Sequence, residues 1–143
     1  QKLYEASNAG VKIKMIIRGI CCILPGIKGY SENIEIISIV DRFLEHARVF
    51  VFHCAGKDKI FLSSADWMVR NLSHRLETVF PIYDQEIKQE ILDYLQIQWS
   101  DNVKARIIEK DFLNEYAKGQ SDLTTRSQIE TYYYIKRKME NLK

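Results

Sequence analysis

Val11, Ile13, Met15 and Ile17 alternate with Lys12, Lys14 and Arg18, and a period of two predicts a strand. The residues before it, roughly 1–9, read as a helix closed by Gly10 just past its end. Pro25, Gly26, Gly29, Ser31 and Asn33 make Gly19–Asn33 a loop. A long loop at a strand end is more often functional than decorative. Ile34–Ile39 reads as a second strand and Asp41–His46 as a single helical turn. Val49–Phe52 is a third strand, Ala55–Asp58 a turn, and Lys59–Leu62 a fourth strand running into Ser63-Ser64-Ala65-Asp66. Glu77–Phe80 is a fifth, stopped by Pro81. Asp84 is placed to cap a helix that carries Ile87, Ile91, Tyr94 and Leu95 through about Gln98. Val103–Ile108 reads as another strand, 111–124 has no period, and Thr125–Leu142 is helical with Ile129, Tyr132, Tyr133 and Lys136 on one side. Strands separated by helices and loops predict an α/β fold: a mixed β-sheet flanked by helices, with a helical C-terminal appendage.

The 143 residues suit one domain, and 46% hydrophobic with 28% charged residues is an ordinary globular balance. No apolar run approaches the ~20 residues a spanning helix needs. The opening, Gln1-Lys2-Leu3-Tyr4-Glu5, has no apolar core and no Met, and reads as a piece of a longer chain. Residues 1–103 hold 12 basic and 13 acidic residues, and 104–143 hold 9 and 6. This shift divides the chain into a body, 1–110, and a tail or interface arm, 111–143. A surplus of three charges is too weak to claim nucleic acid. Cys21, Cys22 and Cys54 form no disulfide framework, which favours a reducing, cytoplasmic setting.

Candidate chemistry concentrates at strand ends. His46, in Glu45-His46-Ala47-Arg48, suits a proton donor to a departing phosphate oxygen, with Glu45 and Arg48 tuning it; a partly buried structural histidine is the plainer alternative. Arg18 ends a strand before a long loop, where α/β folds assemble anion sites, and its planar fork can hold two phosphate oxygens. A solvated strand-end charge is the plainer alternative. Ser63 and Ser64, with Arg70 and Asn71 following, offer donors to an oxyanion or form a simple capping turn. No histidine or cysteine spacing predicts a metal site.

Six blocks change the picture. Ile17-Arg18-Gly19-Ile20-Cys21-Cys22-Ile23-Leu24-Pro25-Gly26 is followed by Ser31-Glu32-Asn33-Ile34 and Ser38-Ile39-Val40-Asp41-Arg42-Phe43-Leu44-Glu45-His46. Leu62-Ser63-Ser64-Ala65-Asp66-Trp67-Met68, Arg70-Asn71-Leu72 and Asp101-Asn102-Val103-Lys104-Ala105 come later. In order and spacing, these closely resemble the polyphosphate kinase family over about residues 3–107.

The resemblance implies an ATP:polyphosphate phosphotransferase of the phospholipase D-like superfamily, built from two similar α/β halves that each supply one histidine. This chain resembles the second half. The phosphorylated histidine would lie in the first, outside this chain, together with the protein groups for the magnesium that accompanies ATP. Arg18 matches the family's nucleotide- and phosphate-binding arginine, and His46 its second active-site histidine. Glu45, Arg48, Ser63, Ser64 and Asn71 would support them. Ser63-Ser64-Ala65-Asp66 is similar to the superfamily's Gly-Ser-x-Asn turn, with Ser63 at the Gly position and Asp66 at the Asn position. His46-Ala47-Arg48 is similar to its His-x-Lys, with Arg in place of Lys and no identifiable remote Asp. The implied partners are ATP or ADP, inorganic polyphosphate, the rest of the same enzyme and further copies of it, with no nucleic acid. The implied setting is the cytoplasm, with association at the inner membrane. The alternatives are a phospholipase D-type phosphodiesterase and a noncatalytic module binding polyanions or nucleic acid.

Overall fold

A computed structural model describes residues 1–111, 113–117 and 123–141. They form two units, one of residues 1–44 with 95–143 and one of residues 45–94. In the first, helix α1 (Lys2–Asn8) precedes strand β1 (Ile13–Ile16), which pairs in parallel with β2 (Ile34–Ile39). Helix α1 ends as expected, with Gly10 in the left-handed region at φ 85°. The loop from 17 to 33 is tied down at two buried serines. Ser31 Oγ donates to Leu24 O and accepts from Ile27 N, and Ser7 Oγ accepts from Asn33 N.

Strand β6 (Ala105–Ile108) pairs antiparallel with β2, so the mixed sheet runs β1-β2-β6. Its centre is β2, where Ile34, Ile36, Ile37 and Ile39 are all buried. Isoleucines fall on both faces of this central strand, Ile34 and Ile36 on one and Ile37 and Ile39 on the other, with Glu35 exposed and Ser38 half-buried between them. Ile37, Ile39 and Ala105 form the core with Ile16, Trp99 and Ala117 against them. Strand β6 starts two residues later than its apolar pattern because Asp101 Oδ1 takes the N–H groups of Val103, Lys104 and Ala105 in a turn.

The expected helical turn at Asp41–His46 is irregular, extended chain instead. Its polar groups have distant partners. Arg126 donates twice to Asp41, and the Gln128 amide accepts from Phe43 N and donates to Phe43 O. Tertiary bonds to the start of helix α4 (Ser127–Asn141) replace the local ones a helix would need. On α4, Ile129, Tyr132 and Tyr133 stay 42–61% exposed, so the side they share is open in this unit. The expected helix end at Leu142 lies outside the described residues.

The second unit is an antiparallel sheet, β3-β4-β5 (Val49–Cys54, Lys57–Ser63, Val79–Ile82). The fold class is α/β as expected, but with this separate sheet in addition to the mixed one. Ala55 and Gly56, both at positive φ, make a two-residue hairpin, so Lys57 and Asp58 belong to the strand rather than the turn. Pro81 does not stop β5 but pairs with Phe61, which an edge strand permits. Helix α2 (Val69–His74), which no period predicts, is a short piece with no side-chain cap. Helix α3 (Gln85–Trp99) begins where expected, with Asp84 Oδ1 accepting from the N–H groups of Glu86 and Ile87.

Acid should loosen the first unit. Bonds from Arg126 hold the Asp41 carboxyl below its usual range. Burial pushes Asp101 up, but donors headed by Lys104 N outweigh it and leave the group low. Lowered folded values give stability that is complete above the unfolded value of about 3.9 and is lost as pH falls through the folded ones. The thermal midpoint should hold down to about pH 5 and fall below about pH 4, and Asp101→Asn should flatten that fall. A midpoint indifferent to acid down to about pH 3 would contradict it.

Candidate functional site

The second unit assembles a polar cluster at the entry of β3. Arg48, one residue before the strand, is 21% exposed and donates from Nε to Asp66 Oδ1 at 2.8 Å. Its Nη2 also lies 2.5 Å from Nε2 of His46. His46 Nε2 is 3.7 Å from Asp66 Oδ1, and its side chain is 51% exposed. His46, Arg48 and Asp66 thus make one open trio. The Asp66 hydrogen bond holds the Arg48 guanidinium above its already high ordinary value, so it stays charged.

The turn that carries Asp66 is fixed from both sides. Ser63 N donates to Arg48 O, and Ser64 N to Thr78 O. Ser63 Oγ accepts from Ala65 N, and Ser64 Oγ accepts from Thr78 N and donates to Glu77. Asn71, only 4% exposed, donates to the other oxygen of Glu77 at 2.7 Å. Bonds from Ser64 and then Asn71 hold the Glu77 carboxyl below its usual range, as an anion. Trp67 stacks on Phe50 of β3 with ring centres 5.4 Å apart, which seats the residue after Asp66 on the sheet. Ser63, Ser64 and Asn71 therefore brace the turn, and Asn71 does so from a buried position.

Tyr94 OH reaches Glu45 at 3.5 Å, and burial first, then the Glu45 charge, pushes the phenol up to about 12. Arg18 belongs to the first unit, exposed, two residues past β1. Sequence reasoning left Asp66 and Glu77 out of the site. Asp66 was legible only as the odd member of a four-residue turn, because its partners lie 18 and 20 positions earlier. Among the described residues no group of three or more His, Cys, Asp or Glu could hold a metal ion.

A mixed sheet in one unit and an antiparallel sheet in the other, with helices in both, are consistent with a phospholipase D-like α/β half. The family profile described as "Polyphosphate kinase C-terminal domain 2" matches residues 1–128. The chain therefore belongs to the polyphosphate kinase family, in its C-terminal part. It is 56% identical over 135 residues to a polyphosphate kinase of Vibrio cholerae and 46% identical to one of Escherichia coli, covering 94% of this chain and 19% and 20% of those proteins. It is also similar to the crystal structure of polyphosphate kinase from Porphyromonas gingivalis, at a TM-score of 0.93 and 45% identity, over 98% of this chain and 22% of that one. The chain thus spans about a fifth of the length of these relatives. No helix among the described residues is long and apolar enough to cross a membrane.

Proposed function

We propose that this chain is the second catalytic half of a polyphosphate kinase that reversibly moves the terminal phosphate of ATP onto inorganic polyphosphate. A histidine of the first half, outside this chain, attacks the γ-phosphorus and ADP departs. The phosphohistidine then passes its phosphoryl group to the terminal oxygen of the polyphosphate chain. Such transfers depend on alignment and on neutralising spread charge. Arg18 clamps phosphate oxygens. His46 binds phosphate or protonates a departing oxygen. Arg48, on its Asp66 anchor, adds a fixed positive charge beside the imidazole. Glu45, Ser63, Ser64 and Asn71 support these groups. The observation that carries the reading is the exposed His46 imidazole held at an arginine–aspartate pair inside a chain of this family.

Magnesium comes with the nucleotide and neutralises its phosphates; its protein ligands lie elsewhere in the enzyme. Residues 1–110 form the catalytic half-domain, and 111–143 an arm toward the rest of a homo-oligomeric, cytoplasmic enzyme that associates peripherally with the inner membrane. Arg18→Ala tests the reading in the whole enzyme. The KM for ATP should rise about tenfold or more, the cost of a charge-assisted phosphate contact, with the fold unchanged. Unchanged KM and kcat would remove Arg18 from the site. Cleavage of simple phosphodiesters by the wild type would favour the phosphodiesterase alternative.

A further inference from the structure

The first unit carries a half-open cavity of about 420 Å³ that no step above uses, lined by Ser38, Val40, Lys104, Arg106, Asn114 and Tyr116 among others. Its place follows from the sheet. Ser38 pairs with Arg106, and side chains two apart along a strand share a face, so positions 38 and 40 and positions 104 and 106 line one side. Ile37, Ile39 and Ala105 point to the other side, into the core. Because β1 and β2 are parallel and β6 opposes them, Lys104 and Val40 lie at the end of the sheet where β1 delivers Arg18. Ligands of open α/β sheets gather beyond the carboxyl ends of parallel strands.

The lining chemistry is cationic and prearranged. The Arg106 guanidinium lies 3.3 Å from the centre of the Tyr116 ring, and its Nη1 donates to Asn114 O at 2.8 Å. One N–H of five is spent, and the plane is fixed for the rest. Lys104 Nζ makes no hydrogen bond or ion pair with the described residues, and none of the described lining residues is a carboxylate. The carboxylate that feels Lys104 is Asp41, and Arg126 already holds it with two bonds. Lys104, Arg106 and Arg126 thus stand against two carboxylates among the described residues, Asp41 and the buried Asp101, whose charge also acts on Arg126, a local surplus of one positive charge. Hydroxyls of Ser38 and Tyr116 complete a set of donors suited to anionic oxygens. An open trough with charge spaced along it fits a chain of repeating anions better than an enclosed small molecule.

We propose that this cavity is a second phosphate subsite, built from residues other than Arg18, that takes successive phosphates of an inorganic polyphosphate chain. The identity of the ligand rests on the function proposed above; the anion chemistry rests on the cavity itself. The triphosphate of ATP offers the same oxygens, so the test separates the two. In the whole enzyme, Lys104→Gln/Arg106→Gln and the single Lys104→Gln are compared with wild type by titration with long-chain polyphosphate and with ATP, at two salt concentrations. The single variant removes no bond within the described residues, so its fold is safe. The double variant should bind polyphosphate about tenfold more weakly and the single one several-fold, with the larger difference at low salt. Product chains should shorten, and ATP affinity should stay within about twofold. Polyphosphate affinity unchanged in both variants would overturn the subsite, and a loss confined to ATP would overturn its ligand. His46→Ala is run alongside: if it abolishes synthesis while the cavity variants bind normally, only the subsite falls. If it leaves synthesis intact, the underlying function falls instead.

Discussion

Replacing His46 with alanine should cost the whole enzyme roughly 10²–10⁴-fold in ATP-dependent polyphosphate synthesis, the range for losing a positioned proton donor. Stability should hardly change, because half of the imidazole already faces solvent and it is no part of either core. Arg48 keeps its bond to Asp66 in the variant, so the charge beside the reacting phosphate survives and only the imidazole is lost. The checks are the synthesis rate at saturating ATP and the thermal midpoint of the same preparation. A rate within about threefold of wild type would remove His46 from the chemistry. A collapsed midpoint would mean that the imidazole holds the strand entry together.

The elements that local chemistry dictates were readable in the residues. Asp84 caps α3 because a carboxylate before an amphipathic run satisfies orphan N–H groups, and it does so at two of them. The four isoleucines of Ile34–Ile39 announce a strand, and all four are buried in the structure. What was not readable depends on partners far along the chain. Residues 41–46 have the composition of a helical turn, yet Arg126 and Gln128 take their polar groups from 85 positions away. Pro81 looks terminal until the topology makes β5 an edge. The site divides the same way. Arg18 and His46 stand out through the blocks that resemble a family, since a lone strand-end arginine or exposed histidine is commonplace. Asp66 joins His46 and Arg48 only because Ser63 and Ser64 are bonded to Arg48 and Thr78, which brings the turn beside the entry of β3.

That placement makes Asp66 the second residue whose loss should be severe. Its carboxylate accepts from Arg48 at 2.8 Å and lies 3.7 Å from the imidazole of His46, so on the proposed reading it is a positioning residue. Removing the aspartate that orients a histidine in hydrolytic triads costs about 10⁴-fold; with an arginine between, Asp66→Ala should cost about 10² in kcat. The loss should fall on kcat with little change in the KM for ATP, since Arg18, the residue proposed above to bind the nucleotide, remains. Asp66→Asn decides what the carboxylate supplies. The amide oxygen can still accept from Arg48 Nε, and Asn is the residue the superfamily turn carries at this position. If geometry is the main contribution, Asn should recover activity to within about tenfold of wild type while Ala does not. Equal losses in both variants would show instead that the negative charge itself is required next to His46 and Arg48. Wild-type kinetics in the alanine variant would refute the positioning role, leaving Arg48 to be held by the strand alone.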